Sequence, residues 1–107
     1  GLYYQDPARW GFTFQIYAFM SRLTKWTEYS KLSGGGIRIS ERSLLSDRYI
    51  FASIMRDSNI LDEAEHEIYL NFYDNLVKMN DIVDLHGVIY IQCPAEICAQ
   101  RIKKRSR

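Results

Sequence analysis

Between Trp10 and Trp26 the apolar residues Phe12, Phe14, Ile16, Tyr17, Phe19, Met20 and Leu23 fall on almost every face of a helix. A helix with one wet side carries a single apolar stripe, whereas an apolar circumference is the pattern of a helix surrounded by protein. This segment is therefore expected as a central, buried helix. Asp6-Pro7 marks its entrance, because an aspartate caps free backbone N–H groups and proline is tolerated at the first helical position. Ser33-Gly34-Gly35-Gly36 breaks it and is expected as a flexible loop.

The rest of the chain is expected to supply the surroundings. The β-branched Ile37 and Ile39 suggest a short strand ending near Glu41. Ser43 to about Arg56 reads as a second helix and Asp62 to about Met79 as a third, with Ile68, Phe72 and Leu76 at spacing four; Asp57-Ser58-Asn59 separates the two. Val88-Ile89-Tyr90-Ile91 is a continuous apolar run after Gly87, as expected of a strand buried on both faces of a parallel sheet, and Pro94 stops it before a last helix that begins near Ala95. Strands alternating with helices point to an α/β layered fold. Two strands alone would expose both edges and both faces, so neighbours from elsewhere are expected. The chain has no initiator methionine and stops in a basic run, so its ends are expected to be cuts.

Composition excludes several classes. With 47% hydrophobic and 14% aromatic residues, 107 residues suit one packed domain and not a disordered tail. A net charge of +1, from 14 basic and 13 acidic side chains, gives no general pull toward nucleic acid or acidic membranes. No apolar run approaches a membrane span, so a soluble, intracellular protein is expected. Cys93 and Cys98 lie five apart, which fits neither a CxxC redox pair nor a zinc knuckle; both are expected as reduced thiols. Glu63, Glu65, His66 and Glu67 lack the second histidine of an H-E-x-x-H site, since Leu70 stands there, and no metal site is expected.

The segment Glu41-Arg42-Ser43-Leu44-Leu45-Ser46-Asp47-Arg48-Tyr49-Ile50-Phe51 holds the densest chemistry, at an expected strand-to-helix junction where ligands of parallel α/β sheets sit. A carboxylate followed by an arginine accepts a proton from a substrate hydroxyl while the guanidinium neutralises charge on a moving phosphoryl group. Taken alone, such a triplet is more often a solvated salt-bridge cluster.

That segment, with Tyr4-Gln5-Asp6-Pro7-Ala8-Arg9-Trp10, Phe12-Thr13-Phe14-Gln15-Ile16-Tyr17-Ala18, Val88 to Gln92 and Pro94 to Arg107, resembles the deoxyribonucleoside kinase family, on its deoxycytidine and deoxyguanosine side. The resemblance spans nearly the whole chain. It implies part of a P-loop NTPase-type three-layer α/β fold over residues 1–107, with the phosphate-loop unit and the C-terminal part missing. It further implies 5′-phosphorylation of a deoxynucleoside by ATP with Mg2+, in a homodimer located in cytoplasm or mitochondria. Glu41 would be the base for the 5′-hydroxyl and Arg42 would contact the transferred phosphate. Gln15 would pair with the nucleobase, and Arg22, seven residues on and on the same helix face, would lie against the base with Asp47. Phe51 would pack on the base and Tyr4 would meet the 3′-hydroxyl. Arg101, Arg105 and Arg107 would bind the phosphates of ATP from a lid. Asp47 leans the substrate toward deoxycytidine or deoxypurines.

The chain departs from that pattern in two places. The G-x-x-x-x-G-K-[ST] phosphate loop is absent, and Gly34-Gly35-Gly36 is no substitute because it precedes a strand. Arg38 and Ser40 stand where the family usually has apolar residues. Two other expectations stay open at this point. One is a noncatalytic nucleotide-binding or interaction module using Arg101 to Arg107. The other is a nucleoside monophosphate kinase such as thymidylate kinase, which would need an acceptor-phosphate site where this chain offers Gln15 and Asp47.

Overall fold

The computed structural model describes residues 1–32, 37–80, 82 and 85–105, with Leu32 described by its backbone alone. The expected loop at Ser33-Gly34-Gly35-Gly36 and the side chain of Arg107 lie outside the described residues.

A short helix α1 (Leu2–Gln5) leads into the long helix α2 (Pro7–Leu32). Asp6 forms the entrance, its Oδ1 accepting from the backbone N–H of Arg9 at 3.1 Å. On α2 the residues Gly11, Gln15, Phe19 and Leu23 recur every fourth position and are all buried, so they form one inward stripe. The opposite side is wetter than the all-round apolar pattern implies: Phe14, Tyr17 and Tyr29 are exposed. The helix is thus packed along one side rather than surrounded.

The second helical region begins at Ser43, whose Oγ accepts from Ser46 N at 3.1 Å as an N-terminal cap. It winds as α3 (Leu44–Ser46), a π-helical segment (Asp47–Ala52) and α4 (Ser53–Asp57) without interruption. The wider winding bonds residues five apart, and Asp47 and Ala52, at that spacing, are both buried. After a turn in which Asn59 takes a left-handed φ of 55°, helix α5 (Glu63–Met79) starts with a capping box. Asp62 accepts from Glu65 N at 2.8 Å, and the Glu65 side chain accepts from Asp62 N at 3.1 Å. Glu65, one of the acidic residues grouped with His66 in the sequence, therefore serves a helix end.

The core is a cluster of Phe19, Leu23, Leu44, Ala52, Tyr69 and Tyr73. Phe19 meets Tyr73 at 5.3 Å and Tyr69 at 6.0 Å between ring centroids, a spacing at which aromatic pairs attract. Helix α5 consequently turns His66, Tyr69 and Tyr73 inward, while Ile68 and Phe72 are exposed. The 68/72/76 stripe read from the sequence is not the buried one; the 66/69/73 stripe, spaced three and four, also fits one helix face and carries the aromatic rings that fit around Phe19.

The expected parallel-sheet α/β fold is overturned: no strand occurs among the described residues. Residues 37–40 and 87–94 have no ladder partner, and Ile37 is 96% exposed while Ile91 is 84% exposed. β-branching and continuous hydrophobicity express a preference for a pleated, covered surface, and the surface exists only when another strand and a packing layer are present. Here the helices pack on one another around Phe19 and leave both segments uncovered. Helix α6 (Ala95–Lys104) follows the second of them with none of its residues buried.

Candidate functional site

The inward stripe of α2 carries an amide where a hydrocarbon would be expected. Gln15 is 1% exposed, and its Nε2 donates to the carboxylate Oδ2 of Asp47 at 2.9 Å and, more weakly, to the Asp47 carbonyl at 3.4 Å. Asp47, also 1% exposed, is directed inward by the first turn of the π-helical segment. Its Oδ2 accepts a second hydrogen bond from the Tyr69 hydroxyl at 2.8 Å. Its Oδ1 has no well-angled hydrogen bond but forms an ion pair with the Arg22 guanidinium, which fixes the negative charge against a cation. A buried carboxylate needs such company, since desolvating an uncompensated charge costs several kcal/mol.

The surroundings shift the partners. Burial lowers the pKa of Arg22, and the nearby Arg42 cation adds to the effect while Tyr69 opposes it. Burial pushes the Tyr69 hydroxyl up to about 12, so it stays a donor over the physiological range.

Arg42 approaches from the irregular segment before α3. Its backbone takes φ 66°, a left-handed conformation that an L-residue adopts at some cost, and the Ser40 hydroxyl donates to its carbonyl at 3.0 Å. Its guanidinium carbon lies 4.5 Å from the centroid of the Phe51 ring, and that of Arg22 lies 5.9 Å from the same ring. Two cations thus converge on one aromatic ring, an arrangement that attracts anions and flat, electron-rich rings. Arg22 touches both Asp47 and Phe51, so the Gln15–Asp47–Tyr69 network and the Arg42 segment form one continuous site. Glu41 is exposed beside Arg42.

The remaining expected site residues lie elsewhere. Tyr4 is 82% exposed and its ring meets Tyr3 edge-on, while Tyr3 stacks on Phe14 at 4.5 Å; no hydrogen bond or ring contact joins Tyr4 to the network. Arg101 and Arg105 are exposed near the end of α6, and Arg101 Nη1 donates to Cys93 Sγ at 3.6 Å. Tyr69 is the contributor that sequence reasoning missed. The signal available was its spacing from Tyr73 and His66, masked by the competing apolar stripe.

Arg48, one residue after Asp47, reaches the other way. It pairs with Asp74 on α5, and its guanidinium carbon lies 4.9 Å from the Tyr73 ring. Opposite neighbours on the π-helical segment thus divide the work: Asp47 serves the interior and Arg48 fastens the segment to α5.

A family model described as deoxynucleoside kinase matches residues 1–107. The chain is 38% identical over 111 residues to the deoxycytidine kinase of Homo sapiens, covering 97% of this chain and 42% of that protein. It is 35% identical over 111 residues to the mitochondrial deoxyguanosine kinase of Xenopus laevis, covering 99% of this chain and 42% of that protein. To deoxycytidine kinase 2 of Gallus gallus it is 35% identical over 109 residues, covering 97% of this chain and 41% of that protein. The chain therefore spans about two-fifths of the length of the curated relatives it matches.

Proposed function

The chain belongs to the deoxynucleoside kinase family, and from that premise we propose that the whole protein transfers the γ-phosphoryl group of ATP to the 5′-hydroxyl of a deoxyribonucleoside, in nucleotide salvage. The observation that carries this reading is the convergence of Arg42 and Arg22 on Phe51, with Arg22 tied to the buried Asp47–Gln15 pair. One end of the site offers a carboxylate and a cation to a hydroxyl and a phosphate; the other offers amide, carboxylate and ring to a heterocycle.

In this mechanism the Glu41 carboxylate accepts the 5′-hydroxyl proton as the 5′-oxygen attacks the γ-phosphorus, and the bond to the bridging oxygen breaks to release ADP. Arg42 neutralises charge on the phosphoryl oxygens during transfer, as a guanidinium fork is shaped to do. The base lies on Phe51 and meets Gln15, whose amide offers a carbonyl acceptor beside an N–H donor, with Asp47 and Arg22 alongside. A shift of the Gln15 amide away from its Asp47 contacts would bring both groups to the base. Tyr4 contacts the 3′-hydroxyl once α1 folds toward the sugar. ATP is the second substrate, and Arg101, Arg105 and Arg107 contact its phosphates. Magnesium is expected with ATP; no group of three or more metal-ligating side chains converges among the described residues. A deoxycytidine or deoxypurine nucleoside as acceptor, a homodimer, and a cytoplasmic or mitochondrial location belong to the same proposal. No helix among the described residues is long and apolar enough to cross a membrane.

The test is ADP release by the full-length protein with deoxycytidine and deoxyguanosine. Glu41→Gln lowers turnover by at least about a hundredfold, the usual scale for a general base. Unchanged turnover rejects the role given to Glu41.

A further inference from the structure

The start of α6 brings together two side chains that the phosphotransfer reading does not use. Pro94 is the N-cap of this helix, so Cys93 is the residue just before the cap and Cys98 the fourth residue within the helix. Side chains at these two positions pack against each other where a chain enters a helix. A spacing of five, which is not that of a CxxC pair, therefore still puts the two thiols at positions that can meet. Both are free, with Cys98 exposed and Cys93 half-buried.

We infer that Cys93 and Cys98 are a redox-modification site, closing to an intramolecular disulfide on exposure to a peroxide and reopening with a thiol reductant. This inference is independent of the proposed kinase reaction. Three contacts support it. The neighbouring Cys93 side chain is the chief factor raising the Cys98 thiol above the usual range, with burial adding to it and Arg101 opposing it. Arg101 Nη1 donates to the same Cys93 sulfur at 3.6 Å. Cys93 also directly precedes the N-cap of a helix, the end at which negative charge is favoured. The Arg101 cation thus faces the Cys93 sulfur, while Cys98 beside it holds its proton more firmly than a free thiol.

The chemistry follows from that distribution. The Cys93 thiolate attacks one oxygen of hydrogen peroxide, the O–O bond breaks, and the displaced hydroxide takes a proton to leave as water. Cys93 is then a sulfenic acid. Cys98 gives up its proton as its sulfur attacks the Cys93 sulfur, the S–O bond breaks, and a second water leaves. The sum is two thiols and one peroxide giving one disulfide and two waters, with two electrons passing from the sulfurs to the peroxide. The helix entrance puts the two side chains at positions that pack against each other, the placement from which a disulfide can close.

Tryptic mapping of the full-length protein reads this directly. Trypsin cleaves after Lys78 and after Arg101 and nowhere between, so both cysteines fall in one peptide, Met79 to Arg101. After hydrogen peroxide and quenching with iodoacetamide, that peptide is expected two hydrogens lighter and unalkylated. Dithiothreitol before alkylation returns it with two labels. In Cys93→Ser and in Cys98→Ser the two-hydrogen loss disappears, and the remaining cysteine is recovered either alkylated or carrying added oxygens. Recovery of a doubly labelled wild-type peptide after peroxide overturns the inference. So does a wild-type peptide with added oxygens on either sulfur, or a disulfide joining two separate chains.

Discussion

The most deeply placed side chains of this molecule include an amide and a carboxylate, while its most hydrophobic run lies in solvent. Gln15 and Asp47 are each 1% exposed, whereas Val88 and Ile89 are 78% and 77% exposed. Transfer preferences alone would reverse that order. The difference shows what burial requires. Asp47 is surrounded by Gln15, Tyr69 and Arg22, which replace the hydrogen bonds and charge stabilisation of water. Val88 to Ile91 gains nothing comparable, because the described helices offer it neither a ladder nor a covering face.

The largest effect that would break this contrast is at Asp47. Asp47→Ala leaves a cation, an amide and a phenol hydroxyl without their shared acceptor. The expected loss is about 3 kcal/mol, the lower end for a broken buried ion pair because Arg22 is partly exposed. Urea unfolding of the chain measures it, and a loss under about 1 kcal/mol would mean that the network does not hold the interior together.

Tyr69→Phe is the next step down. It removes one hydrogen bond to a charged acceptor and should cost about 1.5–2 kcal/mol. It also carries a pH signature. Burial raises the Tyr69 pKa to about 12 from 10.0, so the folded state favours the neutral phenol. Its contribution is fully present below pH 10 and is lost as pH climbs toward about 12. Wild-type unfolding midpoints should fall through that window more steeply than those of Tyr69→Phe, and parallel slopes would place the hydroxyl outside the network.

Gly11→Ala probes the inward stripe of α2 where no polar group is involved. A Cβ there would come within 2.4 Å of the Ile60 Cγ2 methyl and 3.1 Å of the Ile60 carbonyl oxygen. Ile60 is branched at Cβ and its carbonyl is backbone, so neither neighbour moves freely. The overpacking penalty, about 1–3 kcal/mol, exceeds the helix-propensity gain of alanine, and a net loss of about 1 kcal/mol is expected in the same titration.

Features set by a few adjacent residues were legible in the sequence. The Asp6-Pro7 entrance, the Ser43 start and the Asp62 start all follow from side chains bonding backbone within three residues. Placing Gln15 and Arg22 on one face needed only helical geometry, and both reach Asp47. The π-helical winding at Asp47–Ala52 was not legible, because no local residue signal distinguishes it from an α-helix. Tyr69 was hidden by degeneracy: α5 carries two stripes at helical spacing, and only the shape around Phe19 selects between them. The sheet failed for a third reason. Strand pairing is non-local, and residues such as Ile37 or Ile89 state what they would fit without stating that it is there.

The smallest expected effect sharpens that last distinction. Ile89→Ser replaces a large aliphatic group by a small polar one, which in a buried strand would cost several kcal/mol through lost transfer energy and an emptied volume. In this chain Ile89 is 77% exposed and has little packing to lose, so the change should stay within about 0.5 kcal/mol. Asp47 and Ile89 therefore make opposite forecasts from those their polarity suggests, and urea titration of both variants in the 107-residue chain tests them together. A costly Ile89→Ser would show that the run is covered in solution and would remove the contrast. A near-silent one, beside a costly Asp47→Ala, would establish that partners rather than polarity decide what this chain buries.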